Sequence, residues 1–195
     1  MPVAQQHRIS CRCQRGSTLL ELLVAMLVLA TGLGAITTLL FAAIASNSRN
    51  NRDTTATLLA QMVMEEISAQ NIFAGGGPIT NIDCAGTLHQ FSPAAGPVGT
   101  GSGAALKADG TIDFTQAIGA IPLDYSMVYA DCSNAGGAQM MYEVRWNVMS
   151  VSANATTRMI TVAARPLTTN TQQMGSLTLA LPITLRGIGA PTVGK

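Results

Sequence analysis

One carboxylate lies at the head of a long apolar run, where a membrane-spanning helix would carry it into lipid. Residues 22–48 contain no charged side chain, and as a helix rising about 1.5 Å per residue they would cross the roughly 30 Å apolar core of a bilayer. An unpaired carboxylate entering hydrocarbon is costly, so Glu21 needs a partner or a function. Arg8, Arg12 and Arg15 lie in the first 15 residues, which contain no acid, and this favours a cytoplasmic N-terminus and an exported C-terminal part.

A second interpretation of the apolar run is a secretory signal peptide. Ala43-Ile44-Ala45 is similar to a signal-peptidase site. The apolar stretch before it is longer than the apolar region of a typical signal peptide, so a membrane span is favoured.

The residues around Glu21 resemble the processing site of type IV prepilins and type II secretion pseudopilins. The stretch is Gly16-Ser17-Thr18-Leu19-Leu20-Glu21-Leu22-Leu23-Val24-Ala25. The resemblance implies that prepilin peptidase cuts between Gly16 and Ser17 and that the new amino terminus, on Ser17, is N-methylated. The family usually has Phe or another apolar residue where this chain has Ser17. The stretch Val28-Leu29-Ala30-Thr31-Gly32-Leu33 is further similar to PilV-type minor pilins.

Cleavage at this site would give Glu21 the partner that its position requires. The new amine on Ser17 is a cation four residues away, and a helix start already favours a negative side chain. In low dielectric a paired amine and carboxylate replace two costly isolated charges. The resemblance therefore implies that Glu21 sets the axial register between packed subunits.

The apolar run is predicted to continue into an amphipathic helix. Apolar residues recur at helical spacing after Ser48; they are Ala56, Leu59, Met62, Val63 and Ile67. No proline interrupts residues 17–70, and Gly75-Gly76-Gly77-Pro78 would end the helix. Gly32 and Gly34 inside the apolar part indicate either close helix packing or a site that unwinds on extraction.

Beyond residue 120 the pattern changes to strands. Tyr125–Tyr129 alternates, and Tyr142, Val144, Trp146 and Val148 alternate with Glu143, Arg145 and Asn147, giving one apolar and one polar face. With a turn at Ser152–Ala155, residues 158–163 complete an antiparallel hairpin. Residues 176–181 are predicted as the last strand, with Pro182 at an edge or its end.

These elements predict an α+β fold, in which a small antiparallel sheet packs on the upper half of one long N-terminal helix. The predicted segments are a cleaved leader (1–16), a transmembrane and assembly helix (17–48), an amphipathic upper helix (49–72), a Gly/Pro-rich loop region (73–120) and the sheet of the exported domain (121–195).

The cysteines favour one disulfide bond. Cys11 and Cys13 would leave with the leader, so Cys84 and Cys132 remain. A single pair in an exported domain is most simply a disulfide, joining the loop region to the sheet.

The sequence shows no pattern typical of catalysis, and we expect neither enzymatic activity nor a cofactor or metal. His89 is interpreted as a solvated loop side chain. Gly99–Gly103 lacks the ending of a phosphate-binding loop and is interpreted as a flexible linker. Asp109-Gly110-Thr111-Ile112-Asp113 lacks the further ligands of a calcium loop.

Three functions remain open on the sequence. The favoured one is a minor pilin of a type IV pilus, with prepilin peptidase, other pilin or pseudopilin subunits, the bacterial inner membrane and the pilus assembly platform as partners. The alternatives are a pseudopilin of a type II secretion system and a membrane-anchored exported binding domain. The formal net charge of +1 gives no reason to expect nucleic acid.

Overall fold

The computed structural model describes residues 18–70, 79–132, 140–151, 157–167 and 181–189. The contacts of the chain divide it into two compact units, Met1–Ser48 and Arg49–Lys195. In chain order the elements are α1 (Leu19–Ala69), β1 (Ile79–Ile82), β2 (Leu88–Phe91), β3 (Ser102–Gly103), a 3₁₀ turn (Ile118–Ala120), β4 (Ser126–Asp131), β5 (Met140–Ser150), β6 (Arg158–Leu167) and β7 (Ile183–Gly189).

Helix α1 is continuous from Leu19 to Ala69, within the predicted helical segments 17–48 and 49–72. Ser17, residues 71–72 and the predicted stop at residues 75–78 lie outside the described residues. Its C-terminal part, which belongs to the second unit, buries one apolar stripe; the buried residues are Ala56, Leu59, Ala60, Val63 and Ile67. Met62 was predicted in this stripe, but it is only partly buried at the margin of the core. This stripe packs into the core formed by the sheet, which confirms the predicted α+β arrangement.

The main sheet has five antiparallel strands. β5 pairs with β6 from Met141 to Ser150, with Trp146 opposite Val162, which confirms the predicted hairpin. β3 and β4 both pair with the other edge of β5, and β7 pairs with β6. The predicted turn at 152–155 lies outside the described residues.

Trp146 lies at the centre of the core. Its indole is fully buried, and the ring centroids of Phe91 and Tyr125 lie 5.4 and 6.4 Å away. The indole N–H donates to the carbonyl oxygen of Ser92 at 3.2 Å, so the polar atom of this side chain is also satisfied. Burial of one large apolar side chain contributes about 1.5–3 kcal/mol, which makes this cluster a main source of stability.

The polar face of β5 is covered by chain rather than by water. Glu143, Arg145 and Asn147 are 1, 2 and 3% exposed. The segment 100–116 lies over this face and accepts hydrogen bonds from it through backbone carbonyl oxygens. The alternation in sequence identifies the two faces, but not the segment that covers the polar one, because that segment is far away along the chain.

The region 73–120 was predicted as loops, and this is wrong for part of it. β1 and β2 form an antiparallel pair, with Ile79 opposite Phe91 and Ile82 opposite Leu88. The residues interpreted as a flexible linker are also structured, because Ser102 and Gly103 pair with β5. The four-residue and two-residue strands are too short to give a clear periodic signal.

The last described strand lies further along the chain than predicted. Residues 176–180 lie outside the described residues, while Leu181 and Pro182 are described and are not in a strand. β7 begins directly after this proline. β7 was not predicted because it contains Gly187 and Gly189, and glycines in a sequence indicate a turn. A Cβ at these positions would approach Met64 Sδ to 2.9 Å and Arg158 Nε to 3.1 Å, so both glycines make room for neighbours.

Candidate functional site

The described part of the chain begins beside the predicted processing site. Gly16 and Ser17 lie outside the described residues, as do the arginines and cysteines of the predicted leader. Thr18 is the N-cap of α1: its carbonyl oxygen accepts from the backbone N–H of Glu21 at 3.0 Å and of Leu22 at 3.2 Å. Its Oγ1 also lies 3.4 Å from the Glu21 nitrogen. The first helical residue, Leu19, therefore lies two residues after the predicted mature terminus at Ser17.

Glu21 is exposed in the first turn of α1. It is the third helical residue, where a negative side chain is favoured by the free N–H groups of the helix start. Thr18 and Glu21 have the spacing of a capping box. This spacing is visible in the sequence and could have identified Thr18 as the N-cap. The carboxylate is thus placed at the helix head and is open to a partner.

The first unit presents an apolar surface along α1. Its large apolar side chains from Leu19 to Ile44 are each more than half exposed. By length and composition, α1 is long and apolar enough to cross a membrane. Such a surface requires lipid or other apolar helices, which agrees with anchoring in a membrane.

Three threonine hydroxyls within this apolar segment are bonded to carbonyl oxygens of the helix itself. The hydroxyl of Thr31 donates to the carbonyl oxygens of Leu27 and Val28 at 3.0 Å, and Thr37 and Thr38 make equivalent bonds. A Cβ added at Gly32 or Gly34 would meet no described atom within 4 Å beyond the local helix. The hydroxyls of Thr31, Thr37 and Thr38 can therefore enter an apolar environment with their hydrogen bonds already made.

The predicted disulfide is confirmed. Cys84 and Cys132 are bonded, with their Cα atoms 6.0 Å apart. Cys84 lies in the turn between β1 and β2, and Cys132 directly follows β4. In the chain-entropy model, closing a loop with a sequence separation of 48 stabilises the fold by about 4 kcal/mol.

His89 is buried, so its interpretation as a solvated loop side chain is wrong. It lies on β2, is 8% exposed, and its Nε2 is 3.0 Å from Oδ2 of Asp83. Its ring also lies against Tyr129, with centroids 5.7 Å apart. Alternation explains the difference, since β2 turns both His89 and Phe91 inward.

Asp83 is the centre of a hydrogen-bond network that the sequence did not reveal. Besides His89, its carboxylate accepts from the backbone N–H of Ala85 at 3.0 Å, Thr87 at 2.8 Å and Ala130 at 3.2 Å. Burial by itself raises the pKa of Asp83, but the hydrogen bonds from His89, Thr87 and Ala130 outweigh it and lower the pKa to about 2. The carboxylate is therefore charged and holds the turn of the hairpin against β4.

A second buried charge cluster lies on the covered face of β5. Glu143 accepts from Arg145 Nε at 2.6 Å and from Arg165 Nε at 2.9 Å. Both guanidinium groups lie over the ring of Phe114, at 4.9 and 4.5 Å from its centroid. The cluster joins β5, β6 and the covering segment through ion pairs and through contacts of both cations with the ring of Phe114.

Arg158 closes the C-terminal end of α1. Its Nη2 donates to the carbonyl oxygens of Ile67 at 2.5 Å and Gln70 at 2.8 Å, and its Nη1 to that of Pro93 at 3.2 Å. Burial lowers the pKa of this guanidinium. A cation at the last carbonyls of a helix satisfies groups that have no partner within the helix.

The segment similar to a calcium loop uses its acids for turns. Oδ1 of Asp109 accepts from the backbone N–H and hydroxyl of Thr111, and Oδ1 of Asp113 accepts likewise from Thr115. These hydrogen bonds lower the pKa of both carboxyl groups. Within the described ranges, no group of three or more His, Cys, Asp or Glu side chains comes together.

Comparison with known proteins identifies the N-terminal segment. Residues 11–37 match the family model described as "Prokaryotic N-terminal methylation motif". No curated protein and no solved structure matches the chain. The matched residues include Gly16, Ser17 and Glu21 and extend into the exposed apolar part of α1. This match, together with a long helix packed on antiparallel strands, supports a type IV pilin-like or pseudopilin-like protein.

Proposed function

We propose that the chain is a minor pilin-like structural subunit of a type IV pilus, of the PilV type, and that it has no enzymatic activity. The methylation motif over residues 11–37 is the observation that carries this proposal. Under this proposal, prepilin peptidase cuts between Gly16 and Ser17 on the cytoplasmic side of the bacterial inner membrane, and Ser17 is N-methylated. The subunit then leaves the membrane for a fibre at the cell surface.

The exposed helix supports assembly with other pilin-type subunits. Its large apolar side chains from Leu19 to Ile44 are exposed, and its first turn carries the exposed carboxylate of Glu21. In lipid the helix is stored as a single-pass anchor, and in a fibre identical or related helices replace the lipid. An amine at Ser17 pairs with Glu21 of a neighbouring helix and sets the axial register.

Cleavage is tested by co-expression with a prepilin peptidase and measurement of intact mass. We expect the mass to fall by that of residues 1–16 and to rise by one methyl group. Gly16→Ala should block the cut, while Gly34→Ala, the same change within the apolar run and the matched residues 11–37, should leave it unaffected. An unchanged mass for the unaltered chain would contradict processing, and with it the pilin function.

Assembly is tested separately with Glu21→Val. This variant should be cut normally but be lost from sheared fibres analysed by mass spectrometry, because the amine then has no charged partner. Glu65→Gln, an exposed carboxylate on the upper part of α1, serves as the control and should be incorporated normally. Normal incorporation of Glu21→Val would refute the register role. Recovery of the unaltered chain only in a secretion pseudopilus would exclude the pilus assignment.

A further inference from the structure

A covalent bond and a hydrogen bond join the same two segments of the exported unit. The disulfide connects Cys84, after β1, with Cys132, after β4. The neighbouring carboxylate of Asp83 accepts from the backbone N–H of Ala130 in β4 at 3.2 Å. Both links therefore hold the turn of the β1–β2 hairpin at the end of β4, but only the disulfide requires an oxidant.

Most donors to the Asp83 carboxylate lie close to it along the chain. Three of its four donors, Ala85, Thr87 and His89, belong to its own hairpin. The backbone N–H of Asp83 donates in turn to the carbonyl oxygen of Thr87 at 3.1 Å. Contacts across so few residues need little loop-closure entropy, so the hairpin can arrange this carboxylate by itself.

We propose that Asp83 is the positioning residue for formation of the Cys84–Cys132 disulfide. In the reduced chain, the bond from Ala130 to Asp83 holds the hairpin turn against β4 and keeps the two thiols at bonding distance. Folding of this region thus precedes oxidation, and the disulfide then makes the arrangement permanent.

The oxidation itself is a thiol–disulfide exchange with a small disulfide oxidant. Both cysteine residues are exposed, so the thiolate of either attacks the oxidant, forms a mixed disulfide and releases one thiol. The second protein thiolate attacks the protein sulfur of the mixed disulfide and releases the other. Two protein thiols are oxidised and one disulfide oxidant is reduced to two thiols. The second step depends on how often the two protein sulfurs are held together.

The test measures the effective concentration of the two thiols in the full chain, held in detergent micelles. Cys11→Ser and Cys13→Ser are introduced so that only Cys84 and Cys132 are counted. The reduced protein is equilibrated in glutathione buffers of increasing oxidised fraction, quenched by alkylation, and analysed by intact mass. Glutathione disulfide is the oxidant.

In this assay Asp83→Asn should lower the effective concentration about tenfold or more, because it weakens a hydrogen bond to a charged acceptor that holds the reduced turn in place. Asp109→Asn is the matched control. That carboxylate likewise accepts from a residue two positions along its own turn, Thr111, and the change should leave the effective concentration within about twofold. Equal values for the two variants would overturn the proposal.

A second measurement separates positioning from a general loss of folding. In the Cys84→Ser/Cys132→Ser chain no bond can form, and the fluorescence of buried Trp146 reports whether the core remains intact. We expect the amide of Ala130 to stay protected from hydrogen exchange in this chain and to lose protection when Asp83→Asn is added. Fast exchange at Ala130 while Asp83 is still present would show that the hydrogen bond does not survive without the disulfide, which would refute the proposal.

Discussion

Replacing Arg158 by methionine is expected to lower the free energy of unfolding of the Arg49–Lys195 unit by about 3 kcal/mol. The side chain is 2% exposed, and its guanidinium donates to the carbonyl oxygens of Ile67, Gln70 and Pro93. Methionine retains much of the aliphatic stem but none of the donors. The change therefore isolates the polar role of Arg158 from its packing.

The magnitude is a difference between two larger effects. A hydrogen bond to a charged group contributes about 1.5–3 kcal/mol, so three such bonds give roughly 5–9 kcal/mol. Removing the buried cation returns a desolvation cost of several kcal/mol, which is also the reason that the pKa of Arg158 is lowered. A net loss of about 3 kcal/mol remains, a large fraction of the 5–15 kcal/mol typical of a domain.

The assay is urea unfolding of the full chain in detergent, followed by fluorescence. The chain has one tryptophan, Trp146, whose burial in the core makes the signal specific to this unit. Arg186→Met is the matched control: Arg186 is an exposed arginine on the adjacent strand that donates to the carbonyl oxygen of Gly110. It should change the unfolding free energy by no more than about 0.5 kcal/mol. Arg158→Lys should recover only part of the loss, because an ammonium lacks the planar fork of donors.

Equal urea midpoints for Arg158→Met and Arg186→Met would contradict this prediction. Desolvation would then fully offset the three hydrogen bonds. A local measurement gives an independent check, since loss of the cation should speed amide exchange in the last turn of α1, near Ile67. Unchanged exchange there would show that the end of the helix is held by other contacts.

Two further predictions concern acid and backbone conformation. Burial raises the pKa of Asp83, but hydrogen bonds from His89 and backbone N–H groups lower it from 3.8 to about 2. The charged carboxylate therefore contributes about 2 kcal/mol to the free energy of unfolding; this contribution is complete above about pH 4 and is lost as pH falls towards 2. Asp83→Asn should flatten this part of a profile of urea midpoint against pH, and an unchanged slope would contradict the prediction. Gly103→Ala should cost about 1–3 kcal/mol, because Gly103 has φ +111° and a Cβ would clash with the carbonyl oxygen of Trp146. Gly119→Ala, which has open space around it, is the control, and equal midpoints for the two variants would refute this reasoning.

Local signals in the sequence were sufficient for the main elements of the fold. The uncharged run and the apolar stripe predicted α1, since both follow from spacing along one helix. The alternation around Trp146 predicted β5, and the same rule predicted its partner β6. The cysteine pair was found by counting, because loss of the leader leaves only Cys84 and Cys132.

What the sequence did not reveal depends on partners that are distant along the chain. In the sequence, Arg158 is recognisable only as the first residue of a strand. Its hydrogen bond to Ile67 spans 91 residues and exists only in the folded chain. His89 has the sequence context of a loop, and its burial depends on Asp83 and on β4, which are brought together by tertiary contacts. Helical and strand periodicity cannot find such contacts, because they report only on neighbours along one element.

The covering segment on the polar face of β5 has a consequence for how this protein tolerates change. Its acceptors are backbone carbonyl oxygens, while the donors are side chains of the strand. Every residue type supplies a carbonyl oxygen, so many surface substitutions in residues 100–116 would leave these bonds intact. Substitution of Arg145 or Asn147 would remove the side-chain donors and so break these bonds. Exposed side chains of the covering segment can therefore change in sequence while the strand beneath keeps the segment in place.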